Sequence, residues 1–286
     1  MVIQHNIAAI DSYRNLATNT TNLNKNLEKL SSGYKINRAG DDAAGLAISE
    51  SMRNKINGLT QAEANANDAI GLIQTTEGAL TETHSMLERM TTLATQAANG
   101  TYASVGDNVT NADKADTTAR ENIKAEMNEL AQEITRIATA TEYNGIRLIT
   151  KNASGSKQFQ IGATSQETLT VDKQAMTASA LSVDKLGSSM NDVTSANNAI
   201  TTIKDAVNTV SAYRAKLGAK QNRLEHTINN LKVTNENITS AESRIRDTDM
   251  AKEIAAYTKN NILNQAAQSM LAQANQQPQS VLQLLG

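Results

Sequence analysis

From residue 203 to residue 245 an apolar side chain falls on every seventh position: Ile203, Val210, Leu217, Leu224, Leu231, Ile238 and Ile245. A mixed series interleaves with it, made of Ile200, Val207, Arg214, Gln221, Ile228, Asn235 and Glu242. The alternating three-four spacing predicts a single seam along one long helix. At about 1.5 Å per residue that helix would run roughly 65 Å. A seam so narrow cannot bury itself, so it demands partner helices. Residues 1–30 carry a weaker helical pattern, with Ile3, Ile7, Ile10, Leu16, Leu23, Leu27 and Leu30. Gly33 and residues 37–42 then read as a break in which Asp41 or Asp42 caps the next helix.

That next helix is expected over residues 43–98, with Ala66, Ile70, Ile73, Leu80 and Leu87 on its seam and Glu77 and His84 as polar members. Gly45, Gly58, Gly71 and Gly78 lie inside it. Either a neighbouring backbone approaches closely there, or these are tolerated weak spots of about 1 kcal/mol each. Residues 99–116 are polar and read as a loop. Thr118 and Glu121 have the spacing of a capping box, and Ile123, Met127, Leu130, Ile134 and Ile137 form another seam. The period then changes. Tyr143-Asn144-Gly145 reads as a turn, and short alternating runs at 146–149, 158–161 and 168–171 predict a small β-hairpin region near residues 142–172. Residues 176–193 read as a Ser/Ala-rich connector. The fold class is therefore mainly α: an elongated antiparallel helical bundle or coiled coil with a small β-hairpin region.

Beyond Lys259 no side chain is charged, yet Leu263, Leu271, Leu282 and Leu285 remain among Gln and Asn. Free in water such a segment gains little from ordering. Packed among copies it offers helical knobs with no charge to desolvate. We expect residues 260–286 to be an assembly segment that orders on association, matched at the other end by Ile3, Ile7 and Ile10.

Composition narrows the function. Aromatic residues make up 2% of the chain, with one Phe and no Trp, which disfavours a compact globule built on large anchors. With 27 basic against 29 acidic residues there is no polycation for nucleic acid. No apolar run approaches the ~18–20 residues that cross a bilayer, and residues 1–7 lack the basic flank of a cleavable secretory signal. The absence of Cys excludes disulfides and thiolate metal sites. His5, His84 and His226 are scattered, and Asp41-Asp42 reads as a cap rather than a catalytic pair. No phosphate loop, nucleophile elbow or dinucleotide fingerprint is present. We expect no enzyme activity, no cofactor and no metal.

Several motifs together resemble the bacterial flagellin family. At the amino end they are Leu30-Ser-Ser-Gly-Tyr-Lys-Ile-Asn37, Asp41-Asp-Ala-Ala-Gly45, Gly58-Leu-Thr-Gln-Ala62, Asn65-Ala-Asn-Asp68 and Gln74-Thr-Thr-Glu-Gly-Ala-Leu80. Glu142-Tyr-Asn-Gly145 and Gln160-Ile-Gly-Ala163 follow in the middle. Arg244-Ile-Arg-Asp-Thr-Asp249, Leu271-Ala-Gln-Ala-Asn275 and Pro278-Gln-Ser-Val-Leu282 close the chain. The resemblance implies paired terminal helices, residues 1–42 and 246–286, in an inner filament core that orders on assembly. Residues 43–245 would form a rod domain carrying the hairpin, with no room for outer domains. It further implies a homopolymer, the extracellular bacterial flagellum, that serves swimming motility. The partners implied are a flagellar export apparatus, a chaperone on the carboxyl tail and a filament cap. A hook–filament junction protein, or another secreted coiled-coil adaptor, is the alternative.

The same resemblance implies recognition by a host receptor, Toll-like receptor 5. The family's contact motif reads Leu-Gln-Arg-x-Arg-Glu-Leu-Ala, and here the stretch is Leu87-Glu-Arg-Met-Thr-Thr-Leu-Ala94. Arg89 and Leu93 match, and Glu126 aligns with a contributing acidic position. Glu88, Thr91 and Thr92 depart from the motif, which implies weaker signalling than a complete motif gives.

Overall fold

The computed structural model describes residues 6–99, 114–151, 155–191 and 193–285, with side chains described outside 114–119 and 277–285. Ile3, His5 and the side chains of Thr118, Leu282 and Leu285 therefore lie outside what is described. Six helices and one two-stranded antiparallel sheet follow in the order α1 (Ile7–Ser32), α2 (Ala43–Ala97), α3 (Lys114–Ala140), β1 (Ser156–Gln160), β2 (Thr168–Asp172), α4 (Leu186–Ser189), α5 (Val193–Arg246) and α6 (Met250–Leu285). The chain forms two compact units: Met1–Asn57 with Asn235–Gly286, and Gly58–Thr234. Both boundaries fall inside a continuous helix, α2 in one case and α5 in the other.

The unit Gly58–Thr234 holds a conventional core. Ile73, Leu80, Leu87 and Met90 of α2, Met127 and Ile134 of α3, and Ile203, Val210, Leu217 and Leu224 of α5 are all buried. Ion pairs fix the helix directions. Glu77 meets Arg214 and Glu63 meets Lys232, so α2 and α5 run antiparallel. Arg120, 4% exposed, reaches the last carbonyls of α2 at Ala97 and also the carbonyl of Asn191. The predicted interleaved series is displaced on α5. Ala199, Ala206 and Tyr213 are buried, whereas Ile200, Val207 and Arg214 are half-buried. The helix has neighbours on both sides of its seam. Arg214 points to α2, and the Tyr213 hydroxyl donates to the Asp172 carbonyl of β2 at 2.7 Å.

The hairpin is β1 and β2, in register from Ser156↔Asp172 to Gln160↔Thr168. Lys220 of α5 donates to the Thr170 carbonyl beside it. The run at 146–149 is not a strand. Tyr143 and Ile146 exchange both backbone hydrogen bonds across Asn144 (φ 49°) and Gly145 (φ 73°), a two-residue turn that needs positive φ at both centres. Leu148 and Ile149 then enter the core together, their carbonyls taken by the backbone of Gln174 and Met176. Residues 176–193 are likewise not a bare connector. Met176, Ala178, Leu181, Val183 and Met190 are buried, and α4 lies among them.

The break before α2 uses both aspartates. Asp42 Oδ1 accepts from the Gly45 amide at 2.9 Å and caps α2. Asp41 Oδ2 accepts from the Arg38 and Asn37 amides, and those bonds hold its carboxyl below the usual carboxylate range. Of the interior glycines, Gly58 and Gly71 mark close approaches: a Cβ there would meet Ala163 and the Tyr143 ring, each at 3.2 Å. Gly78 faces open space, so it is a tolerated weak spot.

Candidate assembly surface

Helices α1 and α6 pair with one another in the unit formed by the two ends of the chain. Asn6 caps α1 by accepting from the Ala9 amide, and its amide nitrogen donates to the Ala274 carbonyl of α6 at 2.8 Å. Farther along, Asn264 donates to Thr20 Oγ1 at 3.0 Å. Asn26 donates to Glu253 Oε1 and accepts from Asn260 Nδ2, both at 2.9 Å. Rising numbers on α1 meet falling numbers on α6. The pair is antiparallel.

Its seam is polar or small at many positions. On α1 the half-buried or buried residues Ala9, Ser12, Leu16, Asn19, Leu23, Asn26 and Leu30 alternate at three and four. On α6 the matching series is Glu253, Tyr257, Asn260, Asn264, Ala267, Leu271 and Ala274. Only Asn26, Asn264 and Ala274 of these fourteen are buried. The large apolar side chains sit off the seam, in solvent: Ile7 63%, Ile10 58%, Tyr13 65%, Ile254 52%, Ile262 61%, Leu263 40% and Met270 61% exposed. Among the described residues of the other unit only Val193 and Val233 are comparable. A helix pair that buries amides and exposes isoleucines is arranged for a partner that covers it.

Of the expected assembly residues, Ile7, Ile10 and Leu263 lie on this exposed surface, while Leu271 is half-buried on the α1–α6 seam. Asn26, Asn264 and Thr20 escaped the sequence reading. Their signal was heptad position, which an apolar count passes over.

The second expected site lies on α2 and α3. Arg89 Nε donates to Glu126 Oε1 at 2.8 Å, and both side chains are about half exposed. That hydrogen bond, with the charge attraction behind it, raises the guanidinium pKa above its ordinary value. Leu93, 2% exposed, belongs to the core beneath them. Glu88 is engaged by His84 at 3.2 Å, and the Thr91 and Thr92 hydroxyls bond back to their own helix. Among the described residues no three His, Asp or Glu side chains converge as metal ligands, and no helix is long and apolar enough to cross a membrane.

Comparison with known proteins agrees along the whole chain. Residues 3–154 match the family model of the bacterial flagellin N-terminal helical region, and residues 200–285 that of the C-terminal helical region. Flagellin of Bacillus subtilis is 50% identical, and flagellin of Halalkalibacterium halodurans 49%, each alignment covering 100% of both chains. A solved structure assigned as a flagellar hook-associated protein of Vibrio parahaemolyticus superposes with a TM-score of 0.59 at 12% identity, over 72% of this chain and 100% of the other. That likeness concerns the fold alone.

Proposed function

This chain belongs to the bacterial flagellin family, and from that premise we propose how it works as the structural subunit of a flagellar filament. The observation that carries the mechanism is the α1–α6 pair. Its seam holds amides and alanines, and its isoleucines and methionines face solvent. Apolar area of this kind is stabilised by about 25 cal/mol for each Å² removed from water. Copies stacked by their terminal pairs would gain that term repeatedly, and the few charges of the carboxyl segment would leave little to desolvate. In this reading residues 1–42 and 246–286 form the inner core of a tube and residues 43–245 its outer rod layer. Electron microscopy of the purified chain after addition of filament fragments tests it: filaments should grow from the fragment ends.

The assignment as filament subunit, rather than hook–filament junction protein, rests on full-length identity to flagellins. The remaining partners follow from family membership. We infer passage through a flagellar export apparatus, a chaperone that covers the carboxyl helix before export, and a cap at the growing end. The filament so built is an extracellular appendage.

Recognition by Toll-like receptor 5 is supported by one local feature. Arg89 and Glu126 form a solvent-facing ion pair across α2 and α3, and Leu93 packs beneath it. Arginine is a frequent anchor of interface energetics. We expect the monomer to bind the receptor ectodomain, and Arg89→Ala to weaken that binding at least several-fold while helicity is preserved. Equal affinity in a titration of both proteins would remove Arg89 from the site.

A further inference from the structure

Two of the motifs that carry the family resemblance, one from each end of the chain, meet in a single cluster. Tyr34 and Asp247 form an isolated antiparallel bridge. The Lys35 amide donates to the Arg246 carbonyl at 2.7 Å, and the Thr248 amide donates to the Gly33 carbonyl at 2.9 Å. The break between α1 and α2 is thereby stitched to the break between α5 and α6. Asp249 then caps α6 through the Ala251 and Lys252 amides. All of these residues lie within the unit formed by the two ends of the chain.

The side chain of Arg246 covers the stitch. Its guanidinium carbon stands 4.6 Å from the centre of the Tyr34 ring, and its NH1 lies 2.7 Å from Glu50 Oε1. The side chain is 13% exposed, and its Nε is buried without a hydrogen-bond partner. Arg53 supports the same two groups from the α2 side, 6.0 Å over the ring and 3.9 Å from Glu50. A buried guanidinium is tolerated only while ring and carboxylate face it. The cluster therefore exists in one arrangement of the two breaks. The α1–α6 seam needs such a device, because a heptad seam with Asn, Ser and Ala at many positions packs weakly and resists slippage poorly. Polar groups at a few positions are the usual means of fixing register.

We propose that Arg246, clamped between Tyr34 and Glu50, is a register lock for the terminal helix pair. It fixes which residues of α1 face which residues of α6, and so presents the exposed apolar side chains of both helices to a second copy of this chain in a single arrangement. The inference rests on the filament reading above, and it has a readout of its own.

Hydrogen exchange of the full-length monomer reads the lock directly, at the Lys35 and Thr248 amides. Seeded assembly reads its consequence, as the critical concentration. In Arg246→Ala and in Tyr34→Ala exchange at both amides should accelerate at least tenfold, and the critical concentration should rise at least tenfold. Tyr34→Phe keeps the ring and should stay within about twofold of wild type in both. Arg246→Lys keeps the charge without the planar fork and should fall between. Assembly of Arg246→Ala at the wild-type critical concentration would overturn the proposal. Should Arg246→Ala not fold, the tyrosine variants decide, and indistinguishable behaviour of Tyr34→Phe and Tyr34→Ala would overturn it equally. A wild-type chain that ignores the seeds strikes the filament reading instead. The exchange rates then still decide the lock, and equal rates in wild type and Arg246→Ala overturn it.

Discussion

Tyr213 shows how much one side chain can tie together. Its ring is 2% exposed in the core of the unit Gly58–Thr234, and its hydroxyl donates to the Asp172 carbonyl at 2.7 Å. Burial, reinforced by the charge of Asp172, pushes its pKa up to about 12 from an ordinary 10.0. The folded state thus favours the neutral phenol. The stability this contributes is fully present below pH 10 and is lost as pH rises through about 12. Melting temperature should therefore fall between those limits. Tyr213→Phe should start lower at neutral pH, by about 0.5–1.5 kcal/mol for the lost hydrogen bond, and should decline less steeply in alkali. Identical alkaline slopes for the two proteins would show that Tyr213 does not carry the effect.

At the scale of the element, α5 has two halves. Its seam is fully buried from Ile203 to Leu224, whereas Leu231, Ile238 and Ile245 are half-buried. Leu224→Ala should cost about 2–5 kcal/mol, the range for an enclosed leucine. Leu231→Ala should cost clearly less, because part of its surface already meets water. Thermal or denaturant unfolding of the two variants compares them, and equal losses would contradict a seam that opens toward its carboxyl end. The helices themselves were legible in the sequence, since heptads sustained along α2 and α5 leave few alternatives. The flanks of α5 were not: period alone places Arg214 on the stripe, but the hairpin on one side draws in Tyr213 instead. Residues 146–149 misled for a related reason. Their apolar run serves a turn and a descent into the core, which alternation cannot distinguish from a strand. The terminal pair was read only in part. Ile7, Ile10 and Leu263 stood out as apolar, but the seam between the helices runs through Asn26 and Asn264, which a hydrophobic pattern turns outward.

The molecule as a whole divides by what it does with apolar surface. The unit Gly58–Thr234 buries its leucines, isoleucines and methionines among α2, α3, α5 and the hairpin, as a self-sufficient fold does. The unit made from the two chain ends leaves Ile7, Ile10, Ile254, Ile262 and Met270 in solvent while placing Asn26 and Asn264 in its seam. That inversion has a physical rationale only if further copies cover the exposed side chains. The full chain and a chain lacking residues 260–286 should both be monomeric and helical before seeding, with similar main melting transitions. On addition of filament fragments the full chain should move into the pellet as filaments visible by electron microscopy, and the shortened chain should stay in the supernatant. A shortened chain that sediments as filaments at the same concentration as the full chain would contradict the account.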